Sequence, residues 1–342
     1  MKEDRDYNLD LLKAIAIVFV LLWHLQPIRL TPIAPALDYN VPAYLIHFFN
    51  NSITLVAVPL FYLVSTLLFF KNSKKDNYFK RRILHILSIY LFWAFVQVVV
   101  NFVAFSMGKH FNWGWPIKPQ PVWKTVIMGG PALPIVGDSV FYFLFNLLLL
   151  TCIAFVYSKI REDWRAILSY VAVLISIIYF YFAPPIPYWR IDNFVVYIPL
   201  ADILLRKKNT VYLYVSLALY VAFVVNETRH DDNFAIYARN SILFGALFLY
   251  LLIKRINLGG LPKSISSLST YSLGIYALHK YWMLIFVICV YRLFAFLNIS
   301  NQISLGQNNL STVSLLAAFL AFLATVLTIY VMGLSKYFRR FV

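Results

Sequence analysis

Ten stretches of this 342-residue chain, near 9–28, 53–70, 83–106, 139–157, 165–183, 193–205, 211–226, 235–253, 268–294 and 311–335, are runs of mostly apolar residues. A bilayer core about 30 Å thick needs about 20 such residues per helical span. Backbone groups inside it must be satisfied internally, which helices do within one segment. The runs therefore predict an all-α integral membrane protein, a bundle of about ten transmembrane helices. The sixth run is the weakest, being short and carrying Pro199 and Asp202. Only 13% of residues are charged and mean hydropathy is +0.73, whereas a soluble domain is about 25% charged.

Charge sets the orientation, because Lys and Arg concentrate in cytoplasmic loops. With the N-terminus inside, the inner segments carry Lys2 and Arg5, the run KNSKKDNYFKRR at 71–82, Lys159, Arg161 and Arg165, RKK at 206–208, Lys254, Arg255 and Lys263, then Lys336, Arg339 and Arg340. That is twenty of the 30 basic residues, against six in the outer loops: Arg29, Lys109, Lys118, Lys124, Arg190 and Arg229. Both termini are thus expected in the cytoplasm. The same bias explains the net charge of +16 without a nucleic-acid partner.

No repeat or low-complexity tract interrupts the pattern, so residues 1–342 are expected to form a single transmembrane domain with no fused soluble domain. The start MKEDRDYNLD leads into a span that keeps Lys13 and His24 and reaches Gln26-Pro27 without a small-residue cleavage site. The expectation is that this helix stays in the mature protein. The longest polar stretch, 107–138, is aromatic and Pro/Gly-rich. It reads as an outer interfacial loop anchored by Trp113, Trp115 and Trp123, or as a cap over a cavity. Cys152 and Cys289 sit in apolar runs and are expected to pack in the core. His47, His85, His110 and His230 show no metal-binding spacing, so no metal is expected.

The first span holds two ionisable residues, Lys13 and His24, around ten apolar ones. Eleven helical steps rotate by three turns plus about 20° and climb about 16 Å, so the two share a face. Asp10, three residues before Lys13, belongs to that face and lies within pairing reach. Charges facing lipid are costly, so the stripe Asp10, Lys13, His24 is expected to line an interior path. From the residues alone, an interfacial ion pair with a snorkelling lysine and a structural histidine fit as well.

This helix, NLDLLKAIAIVFVLLWH, resembles the opening helix of the membrane-bound acyltransferase family 3, bacterial O-acyltransferases of surface carbohydrates. That family has an Asp, a basic residue three later and a His further on, which Asp10, Lys13 and His24 match. VPLFYLVSTLLFF at 58–70 is similar to a second family segment through Phe61, Tyr62 and Ser65, with Thr66 in place of a glycine. YFKRRILHILSIYLFW resembles the family's Arg-x-x-Arg. Arg82 stands at its first position, His85 at its second, and Ser88 replaces a frequent proline. LGIYALH at 273–279 supplies Tyr276 and His279 to the family's Ile-Tyr-apolar-apolar-His, and FYFLFNLLLL at 141–150 matches loosely, with Tyr142 where a Trp is usual.

The resemblance implies transfer of an acyl group, most often acetyl, from cytoplasmic acyl-CoA to a carbohydrate hydroxyl at the surface of a bacterial cell membrane. Acyl-CoA then is a co-substrate and no cofactor is held permanently. His24 becomes the candidate general base, with Lys13 and Asp10 beside it. Arg81 and Arg82, with Lys80 and Lys13, are the candidates for the anionic CoA, although a positive-inside cluster needs no ligand. Ser65, Tyr276 and His279 are the acceptor-side candidates, each with a helix-packing alternative. The acid orienting His24 is not legible; Asp38 and Asp138 lie on the outer side. A polysaccharide-intermediate flippase is the alternative from another class, although no paired broken helices mark the sequence.

Overall fold

A computed structural model of the protein describes residues 6–25, 48–107, 140–182, 186–206, 211–229, 235–296, 307–338 and 341. Every regular element among them is helical. Helix α1 spans Tyr7–Leu25. A π-helical turn, Phe49–Ile53, and a 3-10 turn, Thr54–Val56, run straight into α2, Ala57–Asn72. Then follow α3 (Tyr78–Met107), α4 (Tyr142–Ser158), α5 (Glu162–Phe182), α6 (Tyr197–Arg206), α7 (Val211–Arg229), α8 (Asn240–Lys254), α9 (Lys263–Thr270), α10 (Ser272–Phe296) and α11 (Gln307–Leu334). The stretch beyond Met107 with its three tryptophans, and Asp38, Asp138, His47, His110 and His230, lie outside the described residues.

By length and apolarity, Tyr7–His24, Phe49–Asn72 and Glu162–Phe182 suffice to cross a membrane, and shorter apolar helices accompany them. Their burial separates centre from rim. The α2 stretch has 72% of its apolar window buried, whereas α5 has 11% and turns Ile167, Leu174 and Ile178 outward. Helix α2 packs against α1, α4, α6 and α8, and α1 also touches α8, α9, α10 and α11. The two helices that carry Asp10, Lys13, His24 and Ser65 are therefore the axis of the bundle.

Each apolar run of the sequence falls on a helix, with two departures. The sixth run yields α6, ten residues long and so about 15 Å, half a bilayer core. The chain reaches it through a 3-10 turn, Ile191–Asn193, and irregular backbone before it whose carbonyls are met by side chains. Asn193 donates to Pro187 at 2.9 Å and to Arg190 at 2.8 Å, and Asn146 donates to Trp189 at 2.8 Å. Irregular backbone is tolerated in such a bundle only where protein buries it, and α6 is buried from Tyr197 to Leu204. Asp202 fixes its C-terminal half, with Arg165 at 3.0 Å, Arg206 at 2.8 Å and the Ser169 hydroxyl at 2.9 Å.

The ninth run is divided. Helix α9 ends at Thr270 and α10 starts at Ser272, where Tyr271 packs its hydroxyl so close to Gly333 that a Cβ there would lie 2.7 Å away. Core packing also fails for one cysteine, since Cys289 is exposed on α10. Lipid accepts the same apolar side chains as a protein core, so an apolar run does not say which face is inward.

Candidate functional site

The N-terminal end of α1 is sewn to its neighbours by short polar side chains. Asp6 bonds Lys71 of α2 at 3.0 Å and Lys254 of α8 at 2.8 Å, and its Oδ1 accepts the Leu9 N–H at 3.3 Å. Burial alone would raise the Asp6 carboxyl, but hydrogen bonds and charge from the two lysines prevail and hold it at about 2. Asn8 donates to the carbonyls of Ile253 and Ile256 at the end of α8.

One turn on, Asp10 is buried at 8% exposure. Its Oδ1 holds Lys13 at 2.9 Å and accepts the Ser269 hydroxyl of α9 at 2.8 Å. Lys13 then borders a cavity of about 140 Å³ between α1, α2, α4 and α10. A cavity of that size takes a benzene-sized group. Phe61, Phe143 and Leu273 supply apolar wall, and Ser65, Ser272 and Tyr276 line it too.

Arg82 comes to this wall from α3. It donates to the Ser65 carbonyl at 3.1 Å and to the Ser65 hydroxyl, while the Tyr78 hydroxyl lies 3.0 Å from its other arm. Arg81, next in sequence, is exposed and donates instead to the Asp76 carbonyl at 3.1 Å. A helix turns adjacent residues by about 100°, which is why only one of the pair reaches α2. Lys80 and His85 are exposed.

On α10 the Tyr276 hydroxyl donates to the Val140 carbonyl at 2.9 Å, and its ring lies 5.0 Å from that of Phe143. This ties α10 to the start of α4, and both rings line the cavity. One turn further, His279 is completely buried. Its ring centroid lies 5.0 Å from that of His24, tilted by 34°. His24, half-buried near the end of α1, thus meets the one other histidine that the sequence singled out.

Of the residues expected from the sequence, Lys13, Ser65 and Tyr276 share the cavity. Asp10 stands behind Lys13, Arg82 stands behind Ser65, and His279 brings the next turn of α10 to His24. Arg81 stays at the surface. Ser269, Ser272 and Phe143 were not expected; nothing in their local sequence marks them, and each becomes part of the site only when α9, α10 and α4 close on α1 and α2. Among the described residues no group of three or more metal-ligating side chains converges. The arrangement can do two things chemically. Its cations, Arg82 and Lys13, suit an anionic ligand, and its two imidazoles suit proton transfer.

The family model described as an acyltransferase domain, that of acyltransferase family 3, matches residues 6–334. No curated protein and no solved structure is matched by the chain. The family match runs from the residue before α1 to the end of α11 and so includes every side chain of the site. With the apolar helices already described, it establishes that the chain belongs to acyltransferase family 3 and is a membrane acyltransferase acting on groups other than aminoacyl groups.

Proposed function

We propose that the protein is a multi-pass O-acyltransferase of a bacterial cell membrane, with ten spans and both termini cytoplasmic, that moves an acyl group, acetyl first among them, from cytoplasmic acyl-CoA to a hydroxyl of a cell-surface polysaccharide or its lipid-linked precursor. One observation carries this reading. A single central helix presents the Asp10–Lys13 pair to a half-open cavity and, about 16 Å along its axis, a histidine in tilted ring contact with a second histidine.

Arg82, with Arg81 and Lys80 nearby, serves the CoA phosphates at the inner face. Lys13 orders the pantetheine arm, and the apolar walls exclude water from the thioester. At the other end His24 takes the proton of the acceptor hydroxyl as its oxygen bonds to the acyl carbon. The carbon–sulfur bond then breaks, and CoA leaves as a thiolate that ends as the thiol. General-base help of this kind is worth about 10²–10⁴-fold. No observation supports the flippase alternative.

The test is the acyl-ester content of cell-surface glycans, read by proton NMR before and after mild base, in cells expressing wild type, His24→Ala or neither at matched membrane levels. Base-labile acyl signals are expected with wild type and not with His24→Ala. Their persistence in the variant removes His24 as the base; their absence from wild type, in a host whose glycans carry free hydroxyls, removes the proposed acceptor class.

A further inference from the structure

His24 is in ring contact with a buried partner whose tautomer the backbone decides. Nδ1 of His279 lies 2.7 Å from the carbonyl oxygen of Tyr276, one turn earlier on α10. A carbonyl oxygen only accepts, so Nδ1 carries the hydrogen and, in the neutral ring, Nε2 keeps the lone pair. The backbone therefore assigns basicity to Nε2.

The ring contact adds a second constraint. Two imidazolium cations in contact repel each other, so a proton on one ring disfavours a proton on the other, and the rings titrate as a unit. From α1 the facing group is His24, whereas Lys13 and Asp10 are paired with each other about 16 Å and more inward along that helix. From α10 itself it is Tyr276, with its ring 5.9 Å away and its hydroxyl given to Val140. Tyr276 also lines the cavity, so His279 sits one turn from the pocket and against the base.

We propose that His24 and His279 work as a pair holding a single proton, with His279 the positioning partner that relays it. This rests on the acyl-transfer reading. As the acceptor oxygen bonds to the acyl carbon and the carbon–sulfur bond breaks, His24 takes the hydroxyl proton and passes it to Nε2 of His279. The CoA thiolate takes it last and departs as the thiol, so the cycle neither gains nor loses a proton. His24 is returned to its neutral form for the next acceptor.

His279→Asn separates relay from structure. The asparagine amide takes the place of Nδ1–H and preserves the donation to the Tyr276 carbonyl, but nothing replaces Nε2. Full-length protein in lipid nanodiscs, with nitrogen-labelled histidine rings, is titrated by NMR alongside His24→Asn and His279→Asn. The expected result is an Nδ1–H tautomer for His279 and a two-step titration of the pair that becomes a single step in each variant. An Nε2–H tautomer, or two rings titrating independently in wild type, overturns the proposal. Membranes supplied with radiolabelled acetyl-CoA give the kinetic arm. His279→Asn is expected to lower the transfer rate by about tenfold or more, to change its pH profile, and to leave the KM for acetyl-CoA and the melting temperature in place. Full activity in His279→Asn overturns the relay. A wild type that transfers no acyl group yet shows the coupled titration supports the pair and fails the acyl-transfer reading alone.

Discussion

Ser269 gives its hydroxyl hydrogen to the same Asp10 oxygen that holds Lys13, joining residues 259 apart in the sequence at 2.8 Å, with the lysine at 2.9 Å. The short helix α9 thus sets where a lysine of α1 stands against the cavity. Removing a donor from a buried carboxylate costs about 1.5–3 kcal/mol. Ser269→Ala is expected to lose stability of that order in denaturant unfolding of the detergent-solubilised protein. Ser269→Thr, which keeps the hydroxyl, is expected to retain most of it.

Asp6 predicts an acid-side effect. Its carboxyl lies below the ordinary 3.8, at about 2, because two lysines outweigh the cost of its burial. A depressed folded-state value means that the group stabilises the fold above pH 3.8 and that this contribution fades as pH falls toward 2. The melting temperature of wild type should exceed that of Asp6→Asn by a constant margin from pH 5 to pH 7, and the margin should close between about pH 4 and pH 2. A margin unchanged at pH 2 contradicts the assignment to charge.

Asp202 carries the half-length helix α6. It is 5% exposed and faces Arg165 and Arg206, each about one-fifth exposed. Removing one member of a buried pair leaves the others uncompensated and costs about 3–5 kcal/mol; the partial exposure of the arginines places Asp202→Ala toward the lower end. Thermal unfolding followed by size-exclusion chromatography should show the loss, with Asp202→Asn less affected because it still accepts from Ser169.

Arg82 and Arg81 should separate cleanly in kinetics. Arg82 spans from α3 to Ser65 at the cavity wall, whereas Arg81 holds the Asp76 carbonyl at the surface. With acetyl-CoA as donor, Arg82→Ala is expected to raise KM about tenfold or more, equivalent to one charge-assisted contact of roughly 1.5–3 kcal/mol. Arg82→Lys should recover it only in part, because an ammonium cannot reproduce the guanidinium fork. Arg81→Ala should change KM less than threefold. Equal effects at both positions would assign the phosphates to the general positive potential of the basic segment 71–82.

Much of this was open to a reader of the sequence. Run length and the low charge content mark where helices form, because a lipid-buried backbone has few other solutions. The rotation of 100° per residue puts Asp10, Lys13 and His24 on one face, and the interior location of that face follows from the cost of charge in lipid. The matched residues of α1, α2, α3 and α10 point to the acyltransferase family before any coordinate is seen.

Tertiary structure alone decided the rest. Burial in protein and burial in lipid ask for the same side chains, so the sequence marks the sixth run as the weakest span without showing that α6 is a buried half-helix, and it does not foretell that Cys289 faces outward. Which arginine of the basic loop reaches Ser65, which serine completes Asp10, and which ring meets His24 all depend on helices far apart in the chain lying side by side. The sequence by itself determined the helices and the inward face of α1, through local geometry and the cost of charge in lipid. The packing of α3, α9 and α10 around α1 and α2 determined the site, because those contacts exist only once the bundle has closed.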